Sequence, residues 1–403
     1  MKIAYFCEPQ VGGTFSFFKR VRPHLLERGI DFRCIPPLTA ECFPGTPYAD
    51  LDGVDYVSFP DHPARATAIM IRHLEEQGYD AVMILPGTDI TFTNIVRYLP
   101  RSIRALARVP MITRGAYAPT LALQDHLDRV VGVSDRVASD LTGSYGLSEA
   151  KVRVVYNGVE PLADASQRTY QVGDPFHLLF SGRISDLDKG VLLLPNMMRR
   201  LVQGGLDAHL TMIGHGPDEA VLRAAFKRAG VDERVKMEGN VSLDQVTSYL
   251  REAHCFVLPS RFEGCPNALM EAMGAGCPCV AARIRGSVDV IIEEGKSGLL
   301  ANVADAASFA ERILELARDP SYLTRLGEGA RLRIQERFTI QHTADGYAEI
   351  LHALNDRPDQ RVNVLSMEKY SIPIAMQPTW RTRIPAPIKN SIRKWLERFG
   401  ISS

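Results

Sequence analysis

No charge of either sign dominates this chain. Lys plus Arg and Asp plus Glu both total 47 over 403 residues. No net field therefore draws it to nucleic acid, and any basic function must be local. Long apolar runs are missing as well, since no segment approaches the roughly 18 unbroken apolar residues of a membrane span. The opening "MKIAYFCEPQ" meets Glu8 too early for the apolar region of a signal peptide. Cysteine is sparse: Cys7, Cys34, Cys42, Cys255, Cys265, Cys277 and Cys279 form no CxxC pair and no His/Cys metal spacing. An odd number scattered through apolar segments reads as reduced core thiols in a cytosolic protein. A DxD-type acidic cluster at a strand end is also lacking, so no metal site is expected.

What is present is the balance of an ordinary globular protein, 45% hydrophobic and 23% charged. The length suits two domains and a tail. Short apolar runs ending in turn residues recur: "KIAYFC", "DFRCIP", "DYVSFP", "AVMILPG", "PMITRG", "RVVGVS" and "VRVVYNG". Amphipathic stretches such as Phe15 to Arg28 and Ala64 to Gln77 lie between several of them. The runs are too uniformly apolar for a one-sided sheet, so a parallel sheet covered on both faces is expected. A polar stretch, Glu160 to Pro175, reads as a linker. The alternation then restarts with "FHLLFSGR", "AHLTMIGHGP", "RVKMEGNV", "CFVLPS", "CPCVAAR" and "GLLAN".

The expected fold is α/β, with two Rossmann-like doubly wound domains facing a cleft, over 1–165 and 166–338. A helix at 339–355 is expected to return to the first domain. The tail, 356–403, is punctuated by prolines and ends in "IKNSIRKWLERFG". Ile388, Ile392, Trp395, Leu396 and Phe399 fall on one face of that helix, with Lys389, Arg393, Lys394 and Arg398 on the other. Two readings stay open: an interfacial helix resting on a membrane, or an apolar face docked on the protein itself.

Ligands of open parallel sheets bind at the carboxyl ends of strands, and the informative stretches sit there. Gly12 and Gly13 follow the first run and open a helix, where a backbone can approach a phosphate closely. In "SGRISDLDKG", Arg183 and Lys189 share one loop; two cations there suit a diphosphate whose oxygens gain charge. The bland alternative is a solvated loop in which Asp186 and Asp188 pair with them. "IGHGP" turns sharply at Gly214, and its His215 reads as incidental. The stretch "SRFEGCPNALMEAMGAGCPCVAA" carries two acids. Pro266 suits a first helical turn, with the amides of Asn267 and Ala268 beyond it and Glu263 just before. Glu271 lies inside an apolar helix and needs a partner such as hydroxyls or an arginine, unless it is half of a structural ion pair.

Taken together and in this order, "GRISDLDKG", "GHGP", "PSRFEGCPNALMEAMGAGCP" and "GSVDVIIEEGKSGLLAN" resemble the motif string of the retaining glycosyltransferases of family 4, which have the two-Rossmann-domain architecture called GT-B. The likeness covers roughly residues 1 to 354 and is strongest between Phe176 and Ala301. It implies a nucleotide-diphospho-sugar co-substrate and no other cofactor, with a saccharide or lipid-linked acceptor. It implies that Arg183 and Lys189 bind the diphosphate, Glu263 the sugar hydroxyls and Glu271 the ribose. Gly214, Gly264, Cys265, Pro266, Asn267 and Ala268 would line the donor, and Gly12 and Gly13 would approach it from the first domain. Many members carry a histidine near the fifth strand, where this chain reads "ITRGAYAPT". Arg114, Asp89 in "PGTDITFTN" and His126 in "LQDHLDR" are the nearest alternatives on the acceptor side. The expected setting is cytoplasmic, at or near the inner face of the cell membrane, in bacterial surface-polysaccharide assembly. A nucleotide-sugar 2-epimerase and a non-catalytic nucleotide-sugar-binding protein are the competing readings. Base, sugar and acceptor stay open.

Overall fold

A computed structural model of the chain describes residues 1–9, 13–36, 51–160, 162, 170–356, 359 and 361–377. The chain divides into two compact units, one of Met1–Asn157 with Ile340–Ser403 and one of Gly158–Thr339. The sequence had suggested divisions at 165/166 and 338/339.

The first unit is built on a parallel sheet of β1 (Lys2–Tyr5), β2 (Asp31–Cys34), β3 (Ala81–Ile84), β4 (Arg104–Val109), β5 (Arg129–Gly132) and β6 (Val152–Val154). Their spatial order is β2-β1-β3-β4-β5-β6. β3 and β5 are buried at every position, as strands covered on both faces must be. The helix Gly13–Glu27 follows β1 and buries Phe15, Phe17, Phe18, Val21 and Leu25. The helix Ile340–Asn355 packs into the same core through Tyr347 and Leu351; the Phe17 and Tyr347 rings lie 5.4 Å apart.

Two of the expected strands are corrected here. "DYVSFP" is not a strand; the residue before it, Val54, forms an isolated bridge to Cys34. "PMITRG" is not a strand; the strand is the preceding "RALARV", Arg104–Val109. Pro110 has no N–H to continue the ladder, and two arginines hid the apolar run. Arg108 is nevertheless only 1% exposed. Its guanidinium lies over the Phe17 ring at 3.9 Å and donates to Tyr347 Oη at 3.1 Å and Asn157 Oδ1 at 2.8 Å.

The tail runs as an irregular strap on this unit. Val362 N–H donates to Asp125 O and Leu365 N–H to Arg97 O, both at 2.8 Å. Tyr370 stacks on Tyr98. Arg361, 3% exposed, grips Asp359 through Nε and Nη2, each at 3.0 Å, and faces Asp128. Burial alone would raise the Asp359 carboxyl, but its bonds and charge contacts with Arg361 and Arg101 hold it at about 2. Because the folded value is depressed, the stabilisation is present above the unfolded value and disappears as pH falls between about 4 and about 2. Protection of the Val362 and Leu365 amides against hydrogen exchange should therefore drop across that window. Protection that stays constant down to pH 2 would contradict it. The sequence pattern at 385–403 lies outside the described residues, as do Gly12 and, within the 160–175 linker, 161 and 163–169. Among the described residues no helix is long and apolar enough to cross a membrane.

The second unit repeats the architecture with β7 (Phe176–Ser181), β8 (Ala208–Ile213), β9 (Val235–Gly239), β10 (Cys255–Leu258), β11 (Cys279–Ala282) and β12 (Leu299–Ala301). The order is β12-β11-β10-β7-β8-β9, all parallel. The first strand of the unit, β7, is therefore central. The chain moves outward one way through β8 and β9, then the other way through β10 to β12. Loops leaving β7 and β10 open side by side at this reversal, which is where a doubly wound sheet holds its ligand.

Candidate functional site

The site of the second unit is assembled at that reversal. The loop after β7 runs through Gly182 and Arg183 into a single turn of helix, Asp186–Lys189, closed by Gly190 with φ +62°. A left-handed residue ending a helix is most easily glycine, and a Cβ at Gly190 would come 2.3 Å from Pro259 O. The turn is thus laid directly on the segment after β10. Gly214, φ +120°, makes a similar approach: a Cβ there would lie 2.2 Å from Gly182 O. Ile184 N–H donates to His215 O at 2.9 Å and Asp186 N–H to Asp218 Oδ2 at 2.6 Å. His215, in the turn before the helix Glu219–Ala229, meets Glu219 through Nδ1 at 3.1 Å.

These approaches bring Lys189 and Glu263 together. Lys189 Nζ donates to Glu263 Oε1 at 2.6 Å, and Ser260 Oγ donates to the same oxygen at 2.7 Å. Glu263 is 8% exposed and Ser260 fully buried. Neither bond uses Oε2. Arg183 projects from the other end of the turn, 64% exposed, and donates to Asp188 Oδ2 at 2.7 Å. Burial alone would raise the Asp188 carboxyl, yet Ser185 and the Arg183 guanidinium hold it below the usual value. The bland reading of the loop is therefore half right, since Asp188 does pair with Arg183. Asp186 does not pair with Lys189; it turns away to Arg261.

The helix Asn267–Gly274 follows Glu263. Pro266 is its N-cap residue rather than part of the first turn. Leu269, Met270, Ala272 and Met273 are buried, while Asn267, Ala268 and Glu271 form a half-buried stripe. Glu271 is thus less deep than the apolar sequence around it suggests, because it falls on the one face turned from the core. Gly264 is held by Ser287 Oγ, which donates to its carbonyl at 3.0 Å. Cys265 beside it is half-buried and free of disulfide.

Sequence reading missed Ser260 and the pair Arg261–Asp186. Both stood inside quoted motifs, but nothing local says that a serine faces its own neighbour's carboxylate or that an arginine reaches a different loop. Five of the thiols, Cys7, Cys34, Cys255, Cys277 and Cys279, are buried and unbridged; Cys42 lies outside the described residues. Among the described residues no group of three or more His, Cys, Asp or Glu stands together as a metal site.

In the first unit the sheet order reverses between β1 and β3. A cavity of about 110 Å³ opens there, lined by Glu8, Thr14, Thr88 and Asp89 over Phe6, Cys7, Leu85 and Phe92. Gly13 begins its helix at the rim. Asp89 caps the helix Ile90–Asn94 by accepting from Phe92 N–H at 3.1 Å. Arg114 begins the helix after β4 and is exposed. Its loop is adjacent, since a Cβ at Gly87 would strike Gly115 O at 2.4 Å. His126 is elsewhere. It precedes β5 at that strand's amino end and bonds Asn363 O through Nδ1 at 2.9 Å. Burial lowers its pKa, against the opposing effect of its bond to the Asn363 carbonyl.

With this geometry described, similarity to known proteins is informative. Residues 175–319 match the family described as "Glycosyl transferases group 1". The chain is 32% identical over 215 residues to the amylovoran biosynthesis glycosyltransferase AmsK of Erwinia amylovora, covering 52% of each chain. It is 27% identical over 299 residues to the putative colanic acid biosynthesis glycosyltransferase WcaL of Salmonella typhimurium, covering 72% of this chain and 69% of that one. The chain thus spans from about half to about seven-tenths of the length of these curated relatives. Its fold matches the lipopolysaccharide outer core galactosyltransferase WaaB in its apo form, with a TM-score of 0.70 and 19% identity, over 88% of this chain and 100% of that one. The chain is thus similar in sequence to the group 1 glycosyltransferases over residues 175–319, and its two-unit fold is the GT-B fold.

Proposed function

We propose that this chain is a retaining, metal-independent glycosyltransferase. It would move a sugar from a nucleotide-diphospho-sugar to a saccharide or lipid-linked acceptor. The relatives named above favour bacterial surface-polysaccharide assembly at the cytoplasmic side of the membrane as the setting. One observation carries the reading: the Lys189–Glu263 contact and the Arg183–Asp188 pair share one turn at the sheet reversal of the unit that matches the family. The donor diphosphate would take Arg183 and Lys189 as partners, in competition with Asp188 and Glu263. As the bond from the anomeric carbon to the leaving oxygen breaks, charge grows on the diphosphate and both cations hold it more strongly. The acceptor hydroxyl forms the new carbon–oxygen bond and its proton passes to the leaving phosphate oxygen. Glu263 Oε2, which takes neither the Lys189 nor the Ser260 bond, would take sugar hydroxyls. The cavity with Asp89, next to the Arg114 loop, is the best candidate for the acceptor.

The test is incubation with UDP-, GDP- and ADP-sugars, measuring nucleotide release with and without saccharide acceptors. Transfer that survives a chelator, with the anomeric configuration kept, is expected. Interconversion of the nucleotide-sugar without release would identify an epimerase, and binding alone a non-catalytic receptor.

Glu271 belongs to the ribose in this reading, a part of the donor that does not change during reaction. Its contribution is then nearly equal in ground and transition states, and Glu271→Gln should act on affinity rather than turnover. Because the side chain is half-buried, the loss should be about 1–1.5 kcal/mol, roughly five- to tenfold in nucleotide affinity. Calorimetry with UDP, GDP and ADP reads this directly, and unaltered binding would remove Glu271 from the donor site.

A peripheral membrane contact through 385–403 completes the proposal on the acceptor side. Liposome flotation of the full chain against one lacking 385–403 tests it; equal binding by the two would end that part.

A further inference from the structure

We infer that Arg261 is a positioning residue for this reaction: it holds the turn carrying Lys189 in register with Glu263. The inference rests on the donor reading above. Arg261 Nε donates to Asp186 O at 3.0 Å, and Nη2 reaches the Asp186 carboxylate at 3.4–3.5 Å. The backbone N–H of Arg261 donates to Asp188 O at 2.8 Å. Asp186 is 4% exposed and also accepts from Leu192 N–H at 3.1 Å. One residue of the segment after β10 therefore binds the turn after β7 at both of its acids, by side chain and by backbone.

The chemistry explains why such a clamp matters. A lysine side chain has a long flexible stem, and its ammonium is a point charge without directional geometry. Where that charge stands is decided by where its Cα is anchored. The Asp186–Lys189 turn is too short to be stable alone. Among its anchors are the bare Cα of Gly190 against Pro259 O, just after Lys189 in the chain, and the grip of Arg261 on Asp186 and Asp188, just before it. A guanidinium suits this place because its fork can reach a carbonyl and a carboxylate of the same residue. Loosening it would leave Lys189 present but misplaced, and a misplacement of about 1 Å at a reacting centre costs up to a hundredfold in rate.

The experiment uses full-length protein, the best donor among the UDP-, GDP- and ADP-sugars, and thermal melts for every variant. Arg261→Ala should lower kcat by about tenfold or more, with affinity for the free nucleoside diphosphate within about threefold. Arg261→Lys should recover part of the turnover. The double variant Arg261→Ala with Lys189→Ala should fall no further than Lys189→Ala alone, because a residue acting through another has nothing left to position. A merely structural role would show instead as a fall that follows the unfolded fraction. That result, wild-type turnover in Arg261→Ala, or losses that multiply in the double variant would each overturn the clamp. Wild-type turnover in Lys189→Ala would overturn the donor reading itself, and the clamp with it.

Discussion

Lys189→Ala is expected to lower turnover by about a hundredfold or more, the scale of removing one preorganised charge donor. It should also destabilise the fold, for a separate reason. Glu263 is 8% exposed, and the truncation strips it of the ammonium 2.6 Å away while leaving Ser260 Oγ. Removing one partner of a fully buried pair costs about 3–5 kcal/mol. The Lys189 side chain retains 23% exposure, so about 1–3 kcal/mol is expected here. The two effects can be separated. In Lys189→Met combined with Glu263→Gln no charge is left behind, so melting temperature should return most of the way towards wild type. Turnover should not. Recovery of both together would mean that the pair holds the fold and has no part in the reaction.

Glu263→Gln is expected to lower turnover by about ten- to a hundredfold, with free nucleotide bound nearly as in the wild type. The amide can still accept from Lys189 and Ser260, so packing is kept and only the negative charge is lost. In the proposed reaction charge matters because the transferred ring would gain positive character as its bond to the diphosphate breaks, and a carboxylate beside it would stabilise that state more than the ground state. The variant also frees Lys189 of a counter-charge, which should tighten rather than weaken its hold on a diphosphate. Steady-state kinetics with calorimetry on the nucleoside diphosphate checks both statements. A rise in Michaelis constant with kcat untouched would return Glu263 to uniform binding. The contrast with Glu271 is then physical: in the proposed reaction one acid would stand at the changing part of the donor, the other at a part that does not change.

Much of this was legible from residues alone. In the second unit every expected strand appears, because short runs rich in apolar residues and bounded by glycine or proline leave little choice of edge. The first unit was harder. Arg108 broke the run that marks β4, and only the structure shows that its charge is absorbed by Phe17, Tyr347 and Asn157. All four residues come from separate stretches of the chain, so no window of sequence contains the reason. His126 misled in the opposite sense. Its loop lies near the expected strand in sequence, but a strand has two ends, and this residue stands at the amino end.

The sequence by itself determined the two strand–helix series, the loops at the strand ends and the presence of two cations and two acids in them. Those follow from local physics: side-chain period, the φ freedom of glycine, the missing N–H of proline. Tertiary structure alone decided the order of the strands, and with it that the loops after β7 and β10 open beside each other. It decided that Lys189 faces Glu263, 74 residues away, that Asp188 takes Arg183, and that Asp186 belongs to Arg261. It also turned Glu271 to the half-buried face of its helix. Such pairings depend on which strands become neighbours, a long-range choice made by burying the whole sheet at once. No individual loop carries that information, which is why the acids could be found by reading but their partners could not.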